Sequence, residues 1–224
     1  MDDATPQAGH RCGFVTLIGK PNVGKSTLLN QLLGEKLAIT SNRPQTTRNR
    51  IPGVLTRPDA QLVFIDTPGV HRAKRALNQY MVDVATEAMW ETDAVVLLVE
   101  AGVGDDLQVG ISDIALELLA QLKERSKPVF LVINKIDRIE KPNLLPIIAA
   151  YSALHDFEAV VPLSALRGEN VDGLVDALVR VLPEGPALYP ADALTDLPER
   201  FIAAELIREK LFRNLGQEVP YSTA

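Results

Sequence analysis

Residues 19–26, Gly19-Lys20-Pro21-Asn22-Val23-Gly24-Lys25-Ser26, fit the pattern G-x-x-x-x-G-K-[ST], which is the strongest indication of the fold in the sequence. An apolar run at residues 14–18 precedes it, and a segment with helical spacing at 25–33 follows it. In such a strand–loop–helix unit the glycines let the backbone approach a phosphate, and successive N–H groups converge on the anion. We therefore predict a phosphate-binding loop, in which Lys25 reaches the β- and γ-phosphates and the Ser26 hydroxyl ligates Mg²⁺. Thr27, in the first helical turn, belongs to the same site.

On both sides of this loop, from about residue 12 to 182, short apolar runs alternate with helical patterns. The runs lack polar alternation, as do strands buried on both faces of a mostly parallel sheet; they lie at 14–18, 62–65, 95–99, 129–133 and 159–163. The helical patterns lie between them, at 25–33, 77–90, 111–123, 144–154 and 171–182. This order predicts an α/β fold with helices on both faces of the sheet. Residues 51–56 would be a sixth strand, antiparallel to 62–65 at the edge.

Composition and charge bound the class of protein. The 224 residues are 46% hydrophobic and 23% charged, which is typical of globular proteins. A single cysteine excludes an internal disulfide, and a formal net charge of −6 argues against general nucleic-acid binding by the whole surface. The N-terminus is not a secretory signal, and no apolar stretch approaches the ~20 residues that span a bilayer. We expect a cytoplasmic protein.

The chain divides into four predicted parts. Residues 1–11 form a tail, 12–182 the α/β domain, 183–198 a proline-rich linker, and 199–224 the start of a second domain that the sequence does not complete. The helix predicted after the linker carries an apolar stripe, which consists of Phe201, Ala204, Leu211, Phe212 and Leu215. We expect that stripe to dock on the first domain, to be covered by another chain, or to fray.

A Mg²⁺ site next to the phosphates needs a second anchor. Asp66-Thr67-Pro68-Gly69 follows the apolar run at 62–65, and a carboxylate at the carboxyl end of a buried strand would lie beside the phosphate loop. Asp66 is therefore a predicted metal residue, which acts through water. The Gly69 N–H would contact the γ-phosphate, so that the following segment responds to its loss.

Asn134-Lys135-Ile136-Asp137 follows the run at 129–133 and predicts the identity of the base. A carboxylate at Asp137 can accept hydrogen bonds from guanine N1 and its 2-amino group, whereas adenine would leave it unpaired. Asn134 would brace the loop, and the Lys135 stem would lie over the base. Ser164-Ala165-Leu166 follows the next strand, where the Ala165 N–H would bond to guanine O6.

The finer pattern is similar to the Era family of bacterial GTPases, within the translation-factor-related class that also contains Ras-like and TrmE-like proteins. The residues that carry the resemblance are the phosphate loop continued to Asn30, then Pro44-Gln45-Thr46-Thr47-Arg48, then Asp66 to His71. Near the C-terminus, Arg200-Phe201, Ile207 to Leu211 and Pro220-Tyr221-Ser222 resemble the opening of the family's RNA-binding KH domain. The chain ends before that domain's Gly-x-x-Gly RNA clamp.

The resemblance implies a Ras-like P-loop NTPase with a six-stranded sheet, followed by an incomplete KH-type domain. It implies binding of GTP and GDP with Mg²⁺, slow hydrolysis of GTP, and a role in ribosome biogenesis. The implied partners of the full-length protein are 16S ribosomal RNA and the 30S subunit. A monomer is implied, as is peripheral association with the inner face of the cell membrane.

The catalytic candidates are Lys25, Asn22, Thr47 and Gly69. Val70 stands where Ras-like enzymes place a water-orienting glutamine, so help must come from elsewhere. In related GTPases the asparagine at Asn22 helps to bind K⁺; the alternative is that Asn22 merely tolerates an unusual backbone conformation. In the first switch, residues 35–50, either Thr46 or Thr47 would bind Mg²⁺, and the family pattern favours Thr47.

Three other functions compete with this hypothesis. A tRNA-modification or membrane-trafficking GTPase would share the nucleotide site and differ in what completes the C-terminus. Asn134 and Asp137 argue against a P-loop ATPase or kinase. A nucleotide-dependent binding module without useful turnover would differ only in its rate of phosphate release.

Overall fold

The computed structural model describes residues 9–40, 50–68, 87, 91–102, 111–123 and 127–214, without the side chains of 212 and 213. The strands in these ranges are β1 Arg11–Ile18, β2 Ile51–Thr56, β3 Ala60–Asp66, β4 Ala94–Glu100, β5 Val129–Asn134 and β6 Ala159–Leu163. The helices are α1 Lys25–Leu33, α2 Asp113–Lys123, α3 Leu144–Ser152, α4 Val171–Val181 and α5 Glu199–Asn214. Short 3₁₀ turns lie at Ile136–Arg138 and Lys141–Asn143.

The strands form one sheet in the order β2-β3-β1-β4-β5-β6. Neighbouring strands are parallel except β2, which runs antiparallel to β3 from Ile51 opposite Asp66 to Thr56 opposite Gln61. The predicted six-stranded α/β sheet with an antiparallel edge is therefore confirmed. The helix predicted at 77–90 lies outside the described residues, apart from position 87.

The core has two layers, one on each face of the sheet, which explains why the strands lack polar alternation. In β4, Val96 and Leu98 pack with the cluster that contains α1 and α4, whereas Val95 and Leu97 pack with the cluster that contains α2 and α3. Each neighbouring residue thus buries its side chain on the opposite face. The second helix begins two residues later than predicted because the Ser112 hydroxyl caps it, accepting the Ala115 N–H at 3.2 Å.

Residues 183–198 form no helix or extended strand, but hydrogen bonds attach them to the sheet. Gln61, fully buried in β3, accepts the N–H groups of Leu188 and Tyr189 through Oε1 at 2.7 and 2.9 Å. Its Nε2 donates to the Tyr189 carbonyl at 2.9 Å. The Val54 N–H donates to the Leu194 carbonyl at 2.8 Å, and the Thr195 hydroxyl donates to the Pro52 carbonyl at 2.7 Å. The composition predicted a linker because proline interrupts regular structure, yet Gln61 and these bonds to β2 hold the segment against the sheet.

Helix α5 contacts the rest of the chain, and the most buried side chains among its described residues are charged ones outside the predicted apolar stripe. Glu205, Arg208 and Glu209 are 8%, 7% and 0% exposed, whereas Ala204 of that stripe is exposed and Ile207 is 62% exposed. Of the predicted stripe, Phe201 and Leu211 are half-buried, whereas the Phe212 side chain and Leu215 lie outside the described part of the chain, so the expectation that the stripe docks, is covered or frays stays a prediction. In the described residues, no helix combines the length and apolar character needed to cross a membrane.

Candidate nucleotide site

The loops that the sequence singled out meet at one edge of the sheet. Because β1, β3, β5 and β6 run parallel, the residues that follow them emerge at the same, carboxyl end. The two principal loops touch: Asn134 Nδ2, at the end of β5, donates to the Val23 carbonyl of the phosphate loop at 2.7 Å. Residues 111 positions apart in sequence thus form one site.

The phosphate loop has the backbone that its sequence predicts. Gly19 and Gly24 have φ angles of 149° and 105°, and Asn22 has a left-handed φ of 62°. A side chain at position 24 would place its Cβ 2.3 Å from Asn134 Nδ2, so glycine is required there for space as well as conformation. Helix α1 then begins at Lys25 and directs its first, intrahelically unpaired N–H groups toward the loop.

Lys25 is buried, and its ammonium is held over the loop by carbonyl groups. Its Nζ donates to the carbonyls of Gly19 and Lys20 at 3.1 and 3.2 Å. Burial lowers the pKa of Lys25 to about 8, and the nearby Asp66 carboxylate opposes that shift. The positive charge is thus oriented in advance of any phosphate, but at a desolvation cost that an anion would relieve.

Ser26 and Asp66, the predicted metal residues, are adjacent. The Ser26 hydroxyl donates to Asp66 Oδ2 at 2.7 Å, and Asp66 is fully buried at the end of β3. The Thr67 hydroxyl donates to the Leu17 carbonyl at 2.8 Å, which fixes this turn against β1. A hydroxyl and a carboxylate are the hard oxygen ligands that Mg²⁺ prefers, so the residues fit the ion.

The Asp137 carboxylate is held by its neighbours in an ionised state. The Ser164 hydroxyl donates to Asp137 Oδ1 at 2.6 Å, and Arg167 Nε lies 3.9 Å from Oδ2. The Ser164 hydrogen bond, more than the charge of Arg167, keeps the pKa of Asp137 below its usual value. A carboxylate in this state accepts hydrogen bonds, as recognition of guanine N1 and the 2-amino group requires.

Asn134 braces both loops, and in doing so it engages an amide that was predicted to have another partner. Its Oδ1 accepts the N–H groups of Lys135 and Ala165 at 2.8 and 2.9 Å. The Ala165 N–H was predicted to bond to guanine O6. In this structure it points to Asn134 instead, because β5 and β6 are neighbours and bring the two residues together. A bond to O6 would have to share or replace that contact.

The sequence did not single out Glu100. This residue ends β4 opposite Asn134 of β5, and its Oε1 lies 2.9 Å from Lys135 Nζ and 3.6 Å from Arg138 Nη1. Lys135 itself has a left-handed φ of 66°, which is uncommon for a residue with a long side chain. The sequence feature that could have indicated the place of Glu100 in the site is a charged residue at the carboxyl end of a buried parallel strand.

The other predicted residues border the same loops. Lys20, Pro21 and Thr27 are half-buried, Pro68 is buried, and Leu166 is 73% exposed. Thr46, Thr47, Gly69, Val70 and His71 lie outside the described residues.

Comparisons with known proteins agree with this geometry. A protein-family model described as 50S ribosome-binding GTPase matches residues 14–135. The GTPase Era of Geotalea uraniireducens (strain Rf4) is 56% identical over 214 residues, which are 96% of this chain and 70% of that protein.

Two solved structures share the fold over most of the chain. The crystal structure of Era in complex with MgGDPNP and nucleotides 1506–1542 of 16S ribosomal RNA has a TM-score of 0.88 and 42% identity, over 95% of this chain and 70% of that one. An Aquifex aeolicus Era variant bound to GDP·AlF4⁻ has a TM-score of 0.86 and 42% identity, over 94% and 70% of the two chains. With its nucleotide loops assembled as described above and this degree of identity, the chain belongs to the Era family of GTPases.

Proposed function

We propose that this protein is a GTP-hydrolysing switch that acts in the assembly of the small ribosomal subunit and that it binds 16S ribosomal RNA. The observation that carries the nucleotide part is the direct bond from Asn134 to Val23, which joins a phosphate loop to a loop with an ionised Asp137. The observation that supports the RNA part is the match, over 95% of this chain, to a relative solved with 16S ribosomal RNA.

At the phosphate end, residues 19–27 bind the nucleotide through main-chain amides, and Lys25 supplies the charge. In the structure the Lys25 ammonium donates to the carbonyl groups of Gly19 and Lys20. These hydrogen bonds are weaker than those that an ammonium forms with charged phosphate oxygens. Phosphate binding therefore transfers the Lys25 hydrogen bonds from the loop to the ligand. Since the ammonium is already positioned, little side-chain entropy is lost in that exchange.

Ser26 and Asp66 would hold Mg²⁺, together with Thr47, which lies outside the described residues. When bound, the ion neutralises charge on the β- and γ-phosphate oxygens. Ser26 would exchange its 2.7 Å hydrogen bond to Asp66 for the metal, and the carboxylate would hold the metal through water. The Gly69 N–H would donate a hydrogen bond to the γ-phosphate.

At the base end, Asp137 selects guanine, while Lys135 and the loop at 164–166 complete the pocket. The Ser164 hydroxyl fixes one carboxylate oxygen, so the base meets an acceptor whose direction is already set. Glu100 draws Lys135 Nζ to one side, which leaves the aliphatic stem to cover the base plane. Adenine would leave the Asp137 carboxylate desolvated and unpaired.

We also infer that K⁺, held with the help of Asn22, assists hydrolysis. The left-handed φ of 62° at Asn22 accounts for an asparagine at this position by conformation alone. The exposed side chain beside the phosphates leaves room for a second role, because a cation there would neutralise charge that develops between the β- and γ-phosphates.

Phosphate release in the presence of purified ribosomal subunits tests the proposed function. We expect small subunits to increase the rate of GTP hydrolysis and large subunits to leave it unchanged. The Asp137→Asn variant is the control for hydrolysis by contaminating GTPases, and binding of the 16S 3′ segment should be stronger with a GTP analogue than with GDP. Stimulation by large subunits alone would contradict the proposal and would favour the role that the name of the matching family model describes.

The remaining predictions concern organisation and location. Four predictions from the sequence stay predictions. The first is the division into parts at 1–11, 12–182, 183–198 and 199–224. The others are the monomeric state, the cytoplasmic location and the peripheral contact with the inner membrane face. Sedimentation and cell fractionation measure the last three directly.

A further inference from the structure

The turn that carries Asp137 has little support from its own backbone. It is a single 3₁₀ turn, Ile136–Arg138, closed by two hydrogen bonds of 3.0 and 3.3 Å. Hydrogen bonds of this kind have poorer geometry than those of an α-helix. The Ser164 hydroxyl fixes the Asp137 carboxylate, but it acts at the end of the side chain. The direction of the turn itself therefore depends on contacts from elsewhere.

The residue that leads into this turn has a backbone conformation that needs support. Lys135 has φ of 66° and ψ of 34°, in the left-handed region that residues with a Cβ seldom occupy. If Lys135 relaxed to a commoner conformation, the chain would enter the turn in a different direction and move Asp137. The Lys135 N–H donates to Asn134 Oδ1 at 2.8 Å, which holds its backbone. The end of its side chain is held by Glu100.

Glu100 contacts both ends of the turn. Its Oε1 lies 2.9 Å from Lys135 Nζ, just before the turn, and 3.6 Å from Arg138 Nη1, at the last residue of the turn. The Glu100 and Lys135 side chains are only 31% and 20% exposed, so solvent screens this ion pair less than it screens a surface pair. One carboxylate thus bridges the two residues that flank Ile136 and Asp137.

The sheet fixes the position of Glu100. This residue is the last of β4 and lies opposite Asn134 of β5. The next residue, Ala101, donates its N–H to the Asn134 carbonyl at 2.7 Å, so that the hydrogen bonding between the strands continues past Glu100. A side chain on a strand is placed more precisely than one on a loop. The carboxylate therefore transmits the rigidity of the sheet to the turn after β5.

We propose that Glu100 is a positioning residue for Asp137 and that it increases the preference of the site for guanine over hypoxanthine. Guanine presents two donors to the carboxylate, N1 and the 2-amino group, whereas hypoxanthine presents N1 alone. Two parallel hydrogen bonds require a carboxylate of fixed orientation, while a single bond tolerates rotation. Loss of the Glu100 contacts therefore weakens guanine binding more than hypoxanthine binding. The inference rests on the proposed recognition of guanine by Asp137 and extends it to a residue outside the tetrapeptide Asn134–Asp137.

The affinities of Glu100→Gln for GDP and for inosine diphosphate test the proposal. The substitution keeps the shape of the side chain and removes its charge. We expect GDP to bind about 5- to 10-fold more weakly, mainly through faster dissociation, and inosine diphosphate at most about 1.5-fold more weakly. The preference for GDP should therefore fall about threefold or more. Because both ligands are measured on one variant, a general loss of stability would change the two affinities equally and would leave their ratio unchanged.

Two further variants are the controls. Glu140→Gln makes the same change of charge at an exposed position in the same loop, and both affinities should stay within about 1.5-fold of the parent protein. Arg138→Gln removes only the longer contact, from a side chain that is 61% exposed, and should weaken GDP binding less than about twofold.

Equal weakening of GDP and inosine diphosphate in Glu100→Gln overturns the inference, because Glu100 would then act only through the Lys135 stem or through stability. An unchanged affinity for GDP overturns it as well. A parent protein that bound the two diphosphates equally would instead contradict the proposed recognition of guanine by Asp137, whatever the effect of Glu100.

Discussion

The Ser164 hydroxyl donates a 2.6 Å hydrogen bond to Asp137 Oδ1, joining the loop after β6 to the loop after β5. The bond stabilises the ionised carboxylate and leaves its other oxygen directed toward Arg167. Asp137 is therefore charged and oriented before a base arrives, and this preorganisation is the source of the first two predictions.

Ser164→Ala should weaken guanine nucleotide binding about 5- to 20-fold, since one hydrogen bond to a charged group contributes about 1–2 kcal/mol. It should also raise the pKa of Asp137. Guanine binding needs the ionised Asp137 carboxylate. The lowered pKa of Asp137 therefore lets the parent protein keep its affinity for GDP as the pH falls. The variant, with a higher Asp137 pKa, should lose that affinity at a higher pH than the parent protein does. GDP titrations between pH 7 and 4.5 measure both effects. Arg167→Gln should change affinity less than about twofold, because the Arg167 side chain is 65% exposed and its Nε lies 3.9 Å from the carboxylate.

Asp137→Asn should exchange the preferred base. The NH₂ group of the new asparagine can donate to the C2 oxygen of xanthine. In guanine the 2-amino group stands at that position, and two donors cannot form a hydrogen bond. We expect GDP affinity to fall at least about 100-fold and xanthosine diphosphate binding to appear. Competition with fluorescent GDP and with ADP measures the change. A variant that kept its guanine preference would show that Asp137 does not read the base.

Gly24→Ala should weaken nucleotide binding strongly while the protein stays folded. The added Cβ would lie 2.3 Å from Asn134 Nδ2, and φ is 105°, so the bond from Asn134 to Val23 must break. We expect a loss of affinity of at least about 30-fold, as for a preorganised polar contact. Gly34→Ala is the control, because its φ is 68° and nothing lies within 4 Å of the added Cβ. Equal effects at the two positions would trace the loss to backbone strain alone.

Asn22→Ala should separate the two explanations for this asparagine. Under the proposed K⁺ role, single-turnover hydrolysis by the parent protein is faster in KCl than in NaCl at equal ionic strength, and the variant loses that difference. Because alanine adopts the left-handed conformation less readily, GDP affinity should fall modestly in both salts. Equal rates for the parent protein in the two salts would leave only the conformational role.

Gln61→Ala should destabilise the protein by about 1–2 kcal/mol, because it leaves the partly buried N–H groups of Leu188 and Tyr189 without their acceptor. Denaturant unfolding measures the free energy change, and hydrogen exchange should increase most within 183–198. Gln121→Ala, on the exposed face of α2, is the control and should change stability by less than about 0.5 kcal/mol. An unchanged free energy of unfolding would mean that the segment is held by other contacts.

The sheet and both nucleotide loops could be predicted from the sequence because their signals are local. Apolar runs of strand length, the glycine pattern at 19–26 and the tetrapeptide from Asn134 to Asp137 each report their own conformation and chemistry. The parallel order of the strands then placed the loops together without any knowledge of side-chain contacts.

Contacts between distant segments could not be predicted in the same way. Gln61 looks like an ordinary polar residue in a strand, and nothing local to it predicts its hydrogen bonds with Leu188 and Tyr189. The partner of the Ala165 amide depends on the side-chain direction of Asn134. For α5, hydrophobic periodicity indicates only the apolar stripe, and it gives no sign that Glu209 is buried and paired with Lys36.

The bond between Asn134 and Val23 has a consequence for ligand size. The bond holds the two loops at a fixed distance before a ligand binds, so the site has two subsites, one for the phosphates and one for the base, with a set separation. Once the phosphates of a guanine nucleotide engage one loop, the base is presented to the other at a high effective concentration. Guanosine or pyrophosphate alone gains no such advantage, and discrimination between whole nucleotides and their fragments follows from one asparagine side chain.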